Sequence, residues 1–179
     1  CCVFWINYAQ DSSAFTVLGI HALQHRGQEV LGIVTFDGNK YYSEKRVGLV
    51  GDNFTKEKVL KNLKGNFAIG HNRYSTTGEK TLRNIQPFFA DTNAGGIGVA
   101  HNGNLTNSIF LRNKLVEDGA IFHTTSDTET IVQLIAKSKR PNTIDKVVDA
   151  IFQIQGGYAL VMLTQNSLIG VRDPYGISQ

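Results

Sequence analysis

Cysteine is scarce in this sequence, and the two cysteines present, Cys1 and Cys2, are neighbours. A disulfide between adjacent residues is strained and joins no distant parts of a chain, so no disulfide framework is predicted. This scarcity favours a reducing, cytoplasmic environment. The first residues also lack a basic segment followed by an apolar core, so the sequence predicts no signal peptide.

Long apolar runs and concentrations of one charge are missing as well. No apolar run approaches the roughly 20 residues of a membrane-spanning helix, so no membrane association is expected. The net charge is only +3, with Lys and Arg spread along the chain, which argues against a nucleic-acid partner. His21 and His25 stand four residues apart, but no third ligand accompanies them at zinc-site spacing. We therefore expect no metal and no cofactor in this chain.

Strand-like and helix-like segments occur in groups rather than in strict alternation along the 179 residues. This grouping favours an α+β fold with mainly antiparallel pairing, in which two sheets pack together with helices outside. The length suits one domain with a buried core. Apolar patterning and turn signals predict strands near residues 3–7, 31–36, 40–46, 66–71, 88–90, 96–101, 158–164 and 168–172, and helices near 12–25, 55–63, 106–115, 126–137 and 142–154.

The first residue carries a thiol together with its own base. A free α-amino group has a pKa of roughly 7.7–8.0 and a free thiol about 8.5, so near neutral pH the amine can take the thiol proton. An N-terminal amine that activates its own residue is a known route to covalent catalysis. Cys1 is therefore a candidate nucleophile. The alternative is that Cys1 stands first only because the sequence begins there.

Asn102 and Gly103 follow the predicted strand at 96–101. Their backbone N–H groups and the Asn102 amide could point at one spot, which is how an oxyanion hole is built. The alternative is a plain hairpin turn, for which Asn-Gly is a strong signal. Because the segment leads into a predicted helix cap at Thr106, the functional interpretation gains weight. Either interpretation predicts a sharp break in the chain here.

Arg73 and Asp127 would suit the two charges of a free amino acid. Arg73 follows an apolar strand, and a guanidinium there can hold a carboxylate bidentately. Asp127 lies at a predicted helix start, where its carboxylate could hold an ammonium group. The structural alternatives are an ion pair or solvated strand end for Arg73, and a role in the helix cap and dipole for Asp127. Ser126 and Glu129 have capping-box spacing.

The segment Gln24 to Gly27 ends the first predicted helix. Gly27 is expected to stop this helix by adopting a positive φ. The structural alternative to any function here is a basic helix end followed by glycine.

Seven motifs in this order resemble the glutamine amidotransferase domain of the amidophosphoribosyltransferases, a family of N-terminal nucleophile hydrolases. Each motif is modest alone, but their order along essentially the whole chain is highly specific. The motifs are Cys1, Leu23-Gln24-His25-Arg26-Gly27-Gln28, Gly70-His71-Asn72-Arg73-Tyr74, Ala100-His101-Asn102-Gly103-Asn104-Leu105, Thr125-Ser126-Asp127-Thr128-Glu129, Gly157-Tyr158-Ala159 and Arg172-Asp173-Pro174-Tyr175-Gly176-Ile177.

The resemblance implies a four-layer αββα sandwich and the hydrolysis of L-glutamine to glutamate and ammonia. Cys1 would attack the side-chain amide with its α-amine as base, and water would resolve the resulting γ-glutamyl thioester. Asn102 and Gly103 would form the oxyanion hole. Arg73 would hold the α-carboxylate of glutamine and Asp127 its α-ammonium. The remaining pocket residues implied by the resemblance are Thr76, Arg26 and the backbone of Gly27.

The chain departs from this family pattern in three places. Cys2 stands where the family usually has Gly, so a backbone that needs positive φ or close approach would be destabilised by about 1–3 kcal/mol. We expect no counterpart in residues 1–179 of the family's phosphoribosyltransferase domain, which uses phosphoribosyl pyrophosphate and magnesium, and the ending Gly176-Ile177-Ser178-Gln179 departs where the family continues with Arg-Pro-Leu. We therefore expect residues 1–179 to form one type 2 glutamine amidotransferase domain that acts at most as a glutaminase.

Two other interpretations stay open at this point. The chain could be a catalytically impaired remnant that binds glutamine or a partner, or another N-terminal nucleophile amidohydrolase that acts on a different amide. The expected partners are L-glutamine and either a second copy of the chain or a separate acceptor domain.

Overall fold

The computed structural model describes residues 1–54, 57–73 and 82–177, apart from the side chain of Arg26. The predicted Thr55 helix cap and the substrate-binding candidate Thr76 lie outside the described residues. The strands are β1 (Cys2–Ile6), β2 (Val30–Phe36), β3 (Tyr41–Val47), β4 (Phe67–Arg73), β5 (Phe88–Thr92), β6 (Gly95–Leu105), β7 (Gly156–Thr164) and β8 (Leu168–Arg172). The helices are α1 (Ser12–Ala22), α2 (Val50–Phe54), α3 (Glu57–Asn62), α4 (Ser108–Glu117), α5 (Asp127–Lys137) and α6 (Thr143–Ile151), with 3₁₀ turns at Gln24–Arg26 and Leu82–Asn84.

The strands form two four-stranded sheets in which all neighbours are antiparallel. The first sheet has the order β1-β4-β2-β3 and the second β5-β6-β7-β8. In the first sheet, β4 lies between β1 and β2, so its last residues adjoin the start of the chain. In the second sheet, β6 extends six residues beyond Val99, the residue that pairs with the first residue of β5.

Three apolar clusters separate four layers. Helices α1 to α3 cover one face of the first sheet, with Ile20 and Phe54 fully buried there. The two sheets pack against each other through residues such as Ile69 and Val161. Helices α4 to α6 cover the outer face of the second sheet, where Ile131 and Leu160 are buried. The four-layer αββα sandwich expected from the sequence is confirmed.

The burial of each element follows its apolar pattern. Strand β2 is buried along its whole length because one face meets the helices and the other meets the second sheet. Helix α5 begins after Ser126, whose side chain accepts a hydrogen bond from the Thr128 N–H. Helix α6 begins after Asn142, which caps the Asp145 N–H in the same way. Among the helices in the described ranges, none combines the length and apolar character that crossing a membrane requires.

Several predicted boundaries differ from the structure. The first helix ends at Ala22 rather than near residue 25, and the Gln24–Arg26 stretch is a 3₁₀ turn. Helix α2 was not predicted. Helix α4 begins after Asn107 rather than at Thr106. The predicted break at Asn102-Gly103 is wrong, because β6 continues through both residues and pairs them with Ala159 and Tyr158 of β7. A hairpin turn at this point is therefore ruled out.

Candidate active site

The pairing of β1 with β4 places the N-terminal residue at the end of the first sheet. Cys2 pairs with Asn72, so Cys1 lies next to Arg73, the last residue of β4. Side chains alternate between the faces of a strand. Val3 packs into the apolar cluster between the sheets, so Cys1, two residues earlier, is directed toward the same inner side. As a residue, Cys1 is partly exposed.

The side chain of Cys2 points to the opposite face, toward α1. Its buried thiol donates a hydrogen bond to Asn72 Oδ1 and lies 3.6 Å from the Leu23 carbonyl oxygen. Asn72 Nδ2 in turn donates to the Ile20 carbonyl oxygen at 3.2 Å. Among the described residues, Tyr8 is the only non-glycine residue with a positive φ, so the backbone at Cys2 does not require glycine. The second thiol therefore belongs to the packing of α1 and not to the inner side.

Gly27 lies directly against the end of β4, and this close contact, not a positive φ, explains why the position suits glycine. Its φ is −173°, which is extended backbone that any residue adopts, so the expected positive φ is wrong. A Cβ atom on Gly27 would instead approach the Arg73 nitrogen and the Asn72 carbonyl carbon to 3.0 Å. The neighbouring Glu29 N–H donates to the Arg73 carbonyl oxygen at 3.3 Å. Arg26 ends the 3₁₀ turn before Gly27, and its side chain lies outside the described part of the chain.

The second sheet presents a row of backbone N–H groups where β6 extends past β5. The His101 N–H donates to Gln86 Oε1 at 2.6 Å, and the Leu105 N–H donates to Asp127 Oδ2 at 3.1 Å. Because N–H groups alternate in direction along a strand, the Gly103 N–H points to this same edge, between the other two. Gly103 is exposed, has a φ of +140°, and leaves no room for a Cβ atom, which would lie 2.2 Å from the Gly157 oxygen.

Asp127 lies at the start of α5, and its carboxylate reaches back to β6. One oxygen accepts from the Leu105 N–H, and the other lies 3.3 Å from His101 Nδ1. Burial acts to raise the pKa of Asp127, but the hydrogen bonds from the His101 ring and from the Leu105 and Thr128 N–H groups outweigh it and lower the pKa below its ordinary value. The side chain is 21% exposed, so an ionised carboxylate is available at neutral pH.

The capping box predicted at Ser126 is only half correct. The Ser126 side chain caps the helix, but the Glu129 carboxylate binds the N–H groups of His123 and Thr124, at 2.9 and 2.7 Å. Glu129 therefore stabilises the loop before α5 rather than the helix start, and the same turn of helix holds a buried structural carboxylate beside a partly exposed one.

His71 connects the two sheets close to these groups. Its Nε2 lies 3.1 Å from the His101 carbonyl oxygen. His71 precedes Arg73 by two residues and His101 directly precedes Asn102, so the contact brings the Cys1–Arg73 end of the first sheet to the Asn102–Gly103 edge of the second. The arrangement thus gathers Cys1, Gly27, Arg73, Asn102, Gly103 and Asp127 around one end of the two-sheet stack.

Two residues of this arrangement were missed as site candidates, His71 and Gln86. Period-2 alternation from Ile69 could have directed His71 to the inner side, whereas Gln86 in its polar loop carries no comparable signal. Within the described ranges, no group of three or more His, Cys, Asp or Glu residues is placed to hold a metal ion.

A family model described as a glutamine amidotransferase domain matches residues 71–179. The chain belongs to the glutamine amidotransferase domain family. This match includes Arg73, Asn102, Gly103 and Asp127, and the resemblance drawn from the ordered motifs is confirmed.

Members of this family that resemble the chain include amidophosphoribosyltransferases from distant organisms. The protein of that name from Rhizobium etli is 52% identical over 177 residues, which cover 99% of this chain and 36% of the relative. The one from Methanothermobacter thermautotrophicus is 47% identical over 176 residues, covering 95% of this chain and 37% of the relative. The chain thus spans little more than a third of the length of these relatives.

Solved structures agree with the family. One, described as the allosteric regulatory enzyme of purine biosynthesis, has a TM-score of 0.94 at 39% identity and is matched over 99% of this chain and 38% of its own. The glutamine phosphoribosylpyrophosphate amidotransferase from B. subtilis, solved with ADP and GMP, has a TM-score of 0.92 at 38% identity, over the same shares.

Proposed function

We propose that this domain hydrolyses L-glutamine to glutamate and ammonia through a thioester on Cys1. The observation that supports this best is the strand register, which directs Cys1 to the inner side beside Arg73, facing the open edge of β6. A nucleophile and a row of hydrogen-bond donors on facing layers are what acyl transfer requires. The Cys1 thiol attacks the side-chain carbonyl carbon of glutamine after its proton passes to the α-amine.

The charge that develops on the substrate oxygen is assigned to Asn102 and Gly103. The Gly103 N–H and the Asn102 amide donate to this oxyanion as the carbonyl becomes tetrahedral. The amine of Cys1 returns its proton to the leaving ammonia, and a water molecule then cleaves the γ-glutamyl thioester to release glutamate and free thiol. The preorganised edge of β6 favours this step because its donors need no rearrangement.

Recognition of the amino-acid end is assigned to Arg73 and Asp127. Arg73 binds the α-carboxylate, and Asp127, whose pKa is lowered and which is therefore ionised at neutral pH and somewhat below it, binds the α-ammonium. The close approach of Gly27 to Arg73 supports a pocket wall there, to which Arg26 and Thr76 also contribute. This pair of charges requires a free amino acid of the right length, which distinguishes glutamine from other amides.

Similarity to amidophosphoribosyltransferases supports a further proposal about the whole protein. The domain supplies ammonia to a phosphoribosyltransferase acceptor domain, and so serves purine biosynthesis. Magnesium and phosphoribosyl pyrophosphate belong to that acceptor domain. A reduced Cys1 thiol requires a reducing compartment, so we also propose a cytoplasmic location.

The deciding experiment is ammonia release from L-glutamine by the purified chain, with the mass of the intact N-terminus confirmed. Cys1→Ala should abolish release. Cys2→Ala is the matched control, because the Cys2 side chain faces α1, and it should keep turnover within about threefold of wild type. Glutamine binding without turnover in a correctly processed wild type would favour a binding remnant. Equal turnover of L-asparagine would favour an amidohydrolase of different specificity.

A further inference from the structure

The two halves of the proposed site are built on different sheets, so something must set their relative position. We propose that His71 is the positioning residue that holds these halves together, through the hydrogen bond from its ring to the backbone next to Asn102. The Nε2 atom of His71 lies 3.1 Å from the His101 carbonyl oxygen. This inference rests on the proposed glutamine hydrolysis.

One end of this bridge lies on the first sheet, in the half of the proposed site that contains Cys1 and Arg73 (the nucleophile half). His71 is 1% exposed and lies on β4 two residues before Arg73, on the inner face with Ile69. Its partner on β1 is Val3, two residues after Cys1. His71 therefore belongs to the same pair of strands that carries Arg73 and Cys1.

The other end of the bridge lies on the second sheet, in the half of the proposed site that contains Asn102 and Gly103 (the oxyanion half). The His101 carbonyl belongs to the peptide bond that leads into Asn102, so a hydrogen bond to this oxygen orients that peptide. His101 is also held by Gln86 Oε1 at its N–H, at 2.6 Å, and by Asp127 at its ring, at 3.3 Å. Three elements thus hold His101, and His71 is the one that comes from the first sheet.

The bridge needs a donor on His71. A carbonyl oxygen only accepts hydrogen bonds, so the ring must carry its hydrogen on Nε2. Burial lowers the pKa of His71 to about 3, with the nearby charges of His101, the N-terminal amine and Arg73 acting in the same direction. The ring is therefore neutral at physiological pH. A Gln side chain presents an N–H donor at similar reach, whereas Met fills similar volume without one.

The test compares His71→Met with His71→Gln in the full chain. His71→Met should lower kcat for glutamine hydrolysis by about 10- to 100-fold, because the buried His101 carbonyl loses its donor, and should leave KM within about threefold. His71→Gln should recover kcat to within about threefold of wild type. Alkylation of Cys1 by iodoacetamide needs no oxyanion donor, so its rate should be unchanged in both variants.

Hydrogen exchange provides a readout that does not depend on catalysis. His71→Met should speed amide exchange in residues 101–105 and leave β2 unchanged, while His71→Gln should restore protection. Wild-type kcat and wild-type exchange in a folded His71→Met would overturn the proposal, and so would Cys1 alkylation that slows in parallel with kcat. If the wild type releases no ammonia, the proposed function fails, but the exchange comparison still decides whether His71 is the bridge.

Discussion

In the proposed site, the half on the first sheet and the half on the second sheet differ in which parts of the polypeptide are assigned to the chemistry. At the end of the first sheet, the groups to which we assign chemistry are the side chains of Cys1 and Arg73, which the pairing of β1 with β4 positions. At the edge of the second sheet, the N–H of Gly103 is part of the backbone, and a helix-start carboxylate lies beside it. The comparison teaches that the first half depends on which residues are present, whereas the second depends on where the backbone lies.

Each half contains one glycine, Gly27 in the first and Gly103 in the second, and the two positions differ in how closely neighbouring atoms approach. A Cβ atom on Gly27 would meet backbone atoms at 3.0 Å, a tight contact that small shifts can relieve. A Cβ atom on Gly103 would meet the Gly157 oxygen at 2.2 Å, at a φ of +140° that side chains rarely adopt. Of the two glycine positions, Gly103 in the second half is therefore expected to tolerate a side chain less well.

Replacing each glycine by alanine tests this difference most directly. Gly103→Ala should lower kcat/KM by about 10³-fold, because the strand must shift and carry its N–H away from the substrate, a displacement comparable to losing an oxyanion donor. Gly27→Ala should lower it by about tenfold or less. Steady-state kinetics with thermal unfolding as a folding control measures both. A larger loss of kcat/KM in Gly27→Ala than in Gly103→Ala would contradict the expected difference between the two positions.

Removal of the Asn102 amide tests the side-chain contribution to the backbone half. Asn102→Ala should lower kcat by about 10²- to 10³-fold with little change in KM, as expected for a donor that acts on the transition state. Asn104→Ala, at an exposed position of the same strand, is the matched control and should be near wild type. Equal kcat values for the two variants would exclude Asn102 from the oxyanion hole.

The charge of Asp127 should matter to binding more than to chemistry. Asp127→Asn keeps an oxygen for the Leu105 N–H but removes the negative charge, so KM should rise by about 10- to 100-fold while kcat changes little. Glu129→Gln, in the same helical turn, should leave KM unchanged, because its carboxylate binds the preceding loop. A fall in kcat alone in Asp127→Asn would contradict the assigned role.

Acid should weaken the connection between the halves. The folded-state pKa of His71 is lowered to about 3, so between pH 6.5 and about 3 the unfolded chain binds a proton that the folded chain does not. The contribution of His71 to the free energy of unfolding is therefore fully present above pH 6.5. Between pH 6.5 and about 3, acidification lowers the free energy of unfolding by about 1.4 kcal/mol per pH unit. Urea unfolding at several pH values measures the slope, which His71→Gln should reduce; an identical slope in that variant would contradict the pKa.

The smallest effect is expected at Cys2, whose side chain packs on the α1 side of the first sheet, opposite to the inner side. Cys2→Ala removes the hydrogen bond to Asn72 and should lower the free energy of unfolding by about 1 kcal/mol, with turnover reduced about threefold. Cys2→Ser keeps a donor and should lose less turnover. Chemical denaturation and ammonia release measure the two quantities, and a complete loss of turnover in Cys2→Ala would place this thiol in the chemistry itself.

The sequence predicted the four layers better than it predicted the part of β6 that extends past β5. Capping-box spacing located α5, and apolar patterning located α6, β7 and β8 closely, because their apolar side chains pack against the neighbouring layers. At Asn102-Gly103, the local turn signal was overridden by pairing with β7 on both sides of the dipeptide. The roles of Gly27 and Gln86 depend on contacts with residues distant along the chain, to β4 and β6, which no local pattern reports.

The open edge of β6 also has a genetic consequence. A single nucleotide change can delete the thiol of Cys1 or the guanidinium of Arg73, but every amino acid except proline preserves an N–H at position 103. Mutation can move that group only by distorting the strand, as a side chain beside the Gly157 oxygen would do. The oxyanion donor proposed here, a backbone N–H, would thus be kept by most coding changes, and those changes could affect only its position.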